Sequence, residues 1–210
     1  MNTLNWIEDK KLIAILRGYN TADSIAIAKA LHAGGITTLE VTLNSPSPFQ
    51  TIEKISSELG DEVIVGAGTV LDAESARLAI SAGAQFILSP TFDRETIKLT
   101  KRYGKVSIPG AYTPTEILNA FEEGADIIKV FPASTLGPSY VKDLRGPLPQ
   151  LKLLPTGGVT VENVASFIKN GAVGVGLGSS LVSSVEKVTD EFLNELTKRA
   201  SAFVQAVNQE

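Results

Sequence analysis

The sequence predicts a (β/α)8 barrel, and three observations predict it. A glycine followed by an apolar strand recurs four times, each interval between copies holds a further strand and helical pattern, and the units spread evenly along the chain. The repeats are "HAGGITTLEVTL", "SAGAQFILSP", "EEGADIIKVFP" and "KNGAVGVGLGSS". Glycine just after a helical pattern caps a C-terminus, so each reads as helix end, tight turn and strand. Gly34, Gly83, Gly124 and Gly171 lie 41 to 49 residues apart, about twice what one strand plus one helix requires.

In chain order, the first eleven residues, with Trp6 and Ile7, form a short helix closing the bottom of the barrel. The strands then fall near 12–17 ("KLIAILRG"), 38–43, 63–69 ("EVIVGAGTV"), 86–90, 105–111 ("KVSIPGAY"), 127–131, 152–156 ("LKLLPTGGV") and 173–177. Eight parallel strands alternating with helices in about 200 residues fit such a barrel at the short end of its size range. Amphipathic stretches between them support the helices: "TADSIAIAKALHA" with Thr21 or Asp23 as cap, and "TPTEILNAFEEG" with Thr113 or Thr115. "SVEKVTDEFLNELTKRASAFVQAVNQE" is the final helix. Residues 1–210 read as a single domain. A doubly wound open sheet is the competing fold, weakened because no GxGxxG follows the first strand and "GVGLGSS" comes last.

The 210 residues are 43% hydrophobic and 20% charged, with a formal net charge of -4 and no basic run, which disfavours nucleic-acid and anionic-membrane partners. The absence of cysteine excludes thiol nucleophiles, disulfides and thiolate metal sites. No apolar stretch reaches membrane-spanning length and the N-terminus has no apolar leader core, so the reading is a cytoplasmic protein. The single histidine, His32, sits before a double glycine and reads as the end of a surface helix.

Parity places the polar residues. Along a barrel strand, alternate side chains face the axis. Leu39, Val41 and Leu43 make the helix-facing side of strand 2, which turns Thr38, Glu40, Thr42 and Asn44 inward. Ile128 and Val130 do the same on strand 6, which turns Ile127, Lys129 and Phe131 inward. Strands 2 and 6 oppose each other in a ring of eight, so Glu40 and Lys129 point together near the end where barrel active sites are built. A buried structural ion pair is the bland reading. The catalytic one is a lysine whose ammonium is destabilised in an apolar wall and whose free amine attacks a ketone, with Glu40 moving protons through a water. That chemistry asks for no metal and no cofactor.

"PTGGV" and "GLGSS" follow strands 7 and 8, where barrels hold phosphate on backbone N–H groups and helix N-termini. Thr156 and Ser179 add hydroxyls there. Arg17 closes strand 1 and is suited to grip a carboxylate, although strand-end arginines also serve as solvated rim residues. Thr69 and Pro90 sit at strand mouths, and the glycines of "GAGTV" admit either a ligand or close packing.

"LEVTL", "GAGTVL", "LSP", "IPGAYTPTE", "IKVFPAS" and "PTGGV", in this order, resemble the class I aldolases acting on 2-keto-3-deoxy-6-phosphogluconate and 4-hydroxy-2-oxoglutarate. The resemblance runs from about Lys11 to Leu181. It implies a homotrimeric barrel of the Entner-Doudoroff type, cleaving the phosphorylated sugar acid to pyruvate and D-glyceraldehyde 3-phosphate, and 4-hydroxy-2-oxoglutarate to pyruvate and glyoxylate. It implies Lys129 as Schiff-base lysine and Glu40 as acid/base. It implies Thr69, Pro90, Phe131 and Arg17 in the substrate pocket, and Thr156, Gly157, Gly158, Gly178 and Ser179 at the phosphate. Where many members read "EVTLRT", this chain reads "EVTLNSP", placing Asn44 at a carboxylate-binding arginine's position. "LNSP" is similar to the aldolases for 2-keto-3-deoxy-6-phosphogalactonate, whereas "PTGGV" is similar to the gluconate branch. Two further readings are a non-catalytic phospho-sugar-acid binding barrel, and a phosphate-binding isomerase or synthase barrel. Both keep the glycine turns without needing the buried amine.

Overall fold

Strands and helices alternate throughout the computed structural model, which describes residues 2–208. After α1 (Thr3–Lys10) come β1 (Leu12–Leu16), α2 (Thr21–Ala33), β2 (Thr38–Thr42), α3 (Pro48–Leu59), β3 (Ile64–Gly68) and α4 (Ala73–Ser81). The chain continues through β4 (Phe86–Leu88), α5 (Arg94–Arg102), β5 (Val106–Ile108), β6 (Gly110–Ala111), α6 (Pro114–Glu122) and β7 (Ile128–Val130). It ends with α7 (Gly137–Arg145), β8 (Leu153–Pro155), α8 (Val164–Lys169), β9 (Val175–Leu177) and α9 (Asp190–Asn208).

The result is an α/β fold in which all strand pairs are parallel. The ladder comes in two pieces, β5-β4-β3-β2-β1-β9 and β6-β7-β8. The run expected as one strand over 105–111 is therefore two strands, because Pro109 between them has no N–H for the ladder. Its carbonyl still accepts from Lys129 N at 2.9 Å. At the other edge the isolated parallel bridge Thr156 to Gly176 and a Val173 N to Leu153 O bond of 3.0 Å link the pieces.

Apolar side chains separate into two clusters. The larger lies between strands and helices and contains Leu39, Val41, Ile128 and Val130 with helix residues such as Ile27, Ile52, Ile117 and Phe203. The smaller lies within the strands' inner face: Ile13, Phe86, Leu88, Val106, Ile108, Ile127 and Leu154, with Ile7 of α1 against them. The parity argument thus assigns both sides of β2 and β7 as observed. Ile7 plugs the inner cluster, and Glu8 pairs with Lys152 to tie α1 to the approach to β8.

Caps sharpen the element boundaries. Asn20, rather than Thr21 or Asp23, caps α2 by accepting from Asp23 N. Thr113 caps α6 in a reciprocal box with Glu116. The last helix starts later than its amphipathic pattern suggests, at Asp190. Thr189 accepts from Phe192 N there, while Tyr19 and Arg199 hold the carbonyls of Ser183 and Leu181 in a non-helical segment. His32 lies in the last turn of α2, 3.4 Å from Glu62. Among the described residues no helix is long and apolar enough to cross a membrane, and no cluster of three metal-ligating side chains occurs.

Candidate active site

A cavity of about 620 Å³ opens at the C-terminal ends of the strands. Arg17 after β1, Thr69 after β3, Pro90 after β4, Lys129 on β7 and Phe131 beyond it line one part. Thr156 to Thr160 after β8 and Gly178 to Ser180 after β9 line the rest. Residues from six parts of the sequence converge because parallel strands all present the same end.

Among the described residues Lys129 is the only ammonium lining this cavity, and it is 4% exposed. Its Nζ lies 4.8 Å from the centroid of the Phe131 ring. Burial holds its pKa below the ordinary lysine value, the positive Arg17 acts in the same direction, and the charge of Glu40 opposes both. The shift runs in the direction that nucleophilic attack by an amine requires.

Glu40 is fully buried on β2, and among the described residues neither carboxylate oxygen has a hydrogen-bond partner. Burial raises its pKa, against the pull of Lys129 and Arg17. The two groups feel each other's charge without forming a hydrogen-bonded ion pair. Glu40 does not itself line the cavity. It fits inside because β3 pairs with β2 in register and brings Gly68 alongside: a Cβ on Gly68 would overlap Glu40 Oε1. Gly66 likewise makes room for the ring of Phe86. The glycines of "GAGTV" therefore serve close packing rather than ligand approach.

Arg17 is held from the side. Its Nη1 donates to Asn44 Oδ1 at 2.9 Å and its Nη2 to Thr69 Oγ1 at 3.4 Å. Thr69 adopts a φ of 57°, strained for a β-branched residue. Ser45 accepts from Gly18 N at 2.9 Å and Thr42 donates to Leu16 O at 3.3 Å, so both backbone neighbours of Arg17 are pinned by the β2 loop. Asn44 lines a smaller neighbouring cavity and reaches the main one through Arg17.

The opposite end is backbone. Gly157 and Gly158 have φ of 94° and 73°, conformations that glycine adopts without penalty. Among the described residues the N–H groups of Gly157, Gly158, Ser179 and Ser180 donate to no protein acceptor. Thr156 Oγ1 is buried without a partner, in space left by Gly176. Of the two helix N-termini expected here, α8 is a helix of six residues that begins only at Val164, and no helix begins at 178–180. An anion would meet a nest of backbone N–H groups instead. Val159, Thr160, Ser180 and Ile15 also line the cavity. The sequence argument named none of them individually, although Val159 and Ser180 end "PTGGV" and "GLGSS" and Thr160 follows the first.

The family profile described as KDPG and KHG aldolase matches residues 4–198. The 2-dehydro-3-deoxy-6-phosphogalactonate aldolase of Escherichia coli K12 is 37% identical over 207 residues, 98% of each chain. The 2-dehydro-3-deoxy-phosphogluconate aldolase of Treponema pallidum is 33% identical over 202 residues, 96% of this chain and 95% of the other. A solved KDPG aldolase from Legionella pneumophila, holding pyruvate as a covalent carbinolamine, superposes with a TM-score of 0.81 at 27% identity, covering 99% and 97% of the two chains.

Proposed function

Since this chain belongs to the KDPG and KHG aldolase family, we propose that it cleaves 2-keto-3-deoxy-6-phosphogluconate to pyruvate and D-glyceraldehyde 3-phosphate through an imine on Lys129. The observation that carries the reading is the isolated Lys129 amine, depressed by burial, facing a cavity whose far end is unpartnered backbone N–H. The carbinolamine seen in the Legionella enzyme is the adduct this amine would form first.

The amine adds to the C2 ketone, and loss of water gives a protonated imine. The C4 hydroxyl then gives up its proton as the C3–C4 bond breaks. The bond's electron pair moves toward the imine nitrogen, leaving an enamine and releasing the aldehyde. Protonation at C3 and hydrolysis return pyruvate and the amine. Glu40 shuttles protons through a water, because its carboxyl lies behind the cavity wall. Arg17, braced by Asn44 and Thr69, holds the substrate carboxylate between Pro90 and Phe131. The nest at Gly157, Gly158, Gly178 and Ser179 takes the phosphate.

The gluconate epimer is supported by "PTGGV", which is similar to the gluconate branch and whose Thr156 lines the cavity. The galactonate epimer is the second reading, favoured by the Arg17–Asn44 brace in "LNSP" and by the E. coli relative. Cleavage of 4-hydroxy-2-oxoglutarate to pyruvate and glyoxylate follows from the same amine without the phosphate contacts. Within this proposal the two ladder pieces form one closed eight-stranded barrel, residues 1–210 form a single domain, and three copies assemble in the cytoplasm around an Entner-Doudoroff type of step.

Assaying both phosphorylated epimers side by side, with borohydride trapping of pyruvate, tests the reading. Trapping at Lys129 with preference for the gluconate epimer supports it. Preference for the other epimer shifts the substrate, and absence of any covalent adduct removes the aldolase mechanism.

A further inference from the structure

Asn163 makes two hydrogen bonds to the turn after β8. Its Oδ1 accepts from Thr160 N at 2.8 Å, and its Nδ2 donates to Gly158 O at 2.9 Å. Asn163 stands where a helix cap would, yet its side chain makes no capping bond to α8. It turns back onto the glycine turn instead. The residue does not line the cavity, whereas Gly158, Val159 and Thr160, which it spans, all do.

The two bonds have a directional consequence. A trans peptide points its C=O and N–H in opposite directions. Fixing the Gly158 carbonyl on Asn163 therefore aims the Val159 N–H away from Asn163. The second bond occupies the Thr160 N–H, so that group is not free to fold the turn onto its own carbonyls. Two consecutive glycines with positive φ have many alternatives of similar energy, and nothing in their own side chains selects one. Asn163 supplies that selection from outside.

We propose that Asn163 is a positioning residue that holds the Gly157–Thr160 turn in the form that receives the substrate phosphate, an inference resting on the phosphate end of the reading above. It acts on one end of the substrate only, since Lys129 and Arg17 are positioned by other strands.

The test uses Asn163→Ala and Asn163→Ser, the latter carrying a hydroxyl too short to span both anchors. KM for the phosphorylated substrate should rise about tenfold, toward the low end of what two ordinary hydrogen bonds are worth. The efficiency on 4-hydroxy-2-oxoglutarate and the rate of pyruvate trapping should stay at the wild-type level, which also shows that the variants fold. Inorganic phosphate, titrated calorimetrically, should bind both variants more weakly by the same factor. Unchanged KM and phosphate affinity, or equal losses on phosphorylated and unphosphorylated substrates, overturn the proposal. Phosphate binding needs no turnover, so it decides the role of Asn163 even if the wild-type lysine traps no pyruvate, a result that would sink the aldolase reading alone.

Discussion

Gly68 and Glu40 compete for one space: the carboxylate of Glu40 occupies the position that a side chain on Gly68 would fill. Gly68→Ala should therefore displace Glu40 and lower turnover by about 100-fold or more, the range for a lost proton-transfer group. Borohydride trapping of pyruvate should survive, because Lys129 stands on another strand. Steady-state kinetics set beside trapping rates check this, and wild-type turnover would show that the carboxylate has room to spare.

Glu40→Gln removes the proposed proton shuttle while keeping its volume. Imine formation should persist and turnover should fall by about 10²- to 10⁴-fold. The neutral amide also removes the one charge that supports the Lys129 ammonium. The apparent pKa for trapping should fall further below that of the wild type, as a pH series of labelling rates would reveal.

Lys129→Ala should neither trap pyruvate nor turn over, and peptide mapping of the wild type should place the label on Lys129. Breaking a bonded buried ion pair costs about 3 to 5 kcal/mol. Glu40 has no hydrogen-bonded partner to lose, so the variant should melt close to the wild type. A large drop in Tm would make Lys129 a structural element.

Proton linkage gives the two groups opposite signatures. The folded pKa of Lys129 is depressed, so its contribution to stability is present above about pH 10.4, its unfolded value, and is lost as pH falls through the folded value. The folded pKa of Glu40 is raised, so its contribution is present below about pH 4.3 and is lost as pH rises through the folded value. The stability gap between Lys129→Ala and wild type should change in favour of wild type toward alkaline pH. That between Glu40→Gln and wild type should do so toward acid pH. Chemical denaturation across a pH series reads both.

The strands were legible because glycine caps and apolar runs are local signals, and β2 parity put Glu40 inside because Leu39 and Val41 flank it. Pro109 was equally visible in "SIPGAY", yet an apolar run on both sides hid the break it makes. What local pattern could not carry was pairing across the fold. Gly68 meets Glu40 through strand register, Asn44 serves Arg17 across 27 residues, and Tyr19 meets Ser183 across 164. The start of α9 escaped for the same reason, since distant side chains hold residues that are amphipathic enough for helix.

The two ladder pieces divide the cavity. Lys129, Phe131 and the glycine turn belong to the three-stranded piece, while Arg17, Thr69 and Pro90 follow strands of the six-stranded one. Between the pieces stand a proline that donates nothing, the isolated Thr156 to Gly176 bridge and scattered bonds such as Ile127 N to Ser107 O at 3.3 Å and Val173 N to Leu153 O at 3.0 Å. A ligand held at once by Lys129 and Arg17 thus stitches the seam as well as filling the cavity. Amide exchange at Ile127 and Val173, whose bonds cross between the pieces, should slow when pyruvate is trapped, making substrate occupancy a mechanical fastening of the sheet.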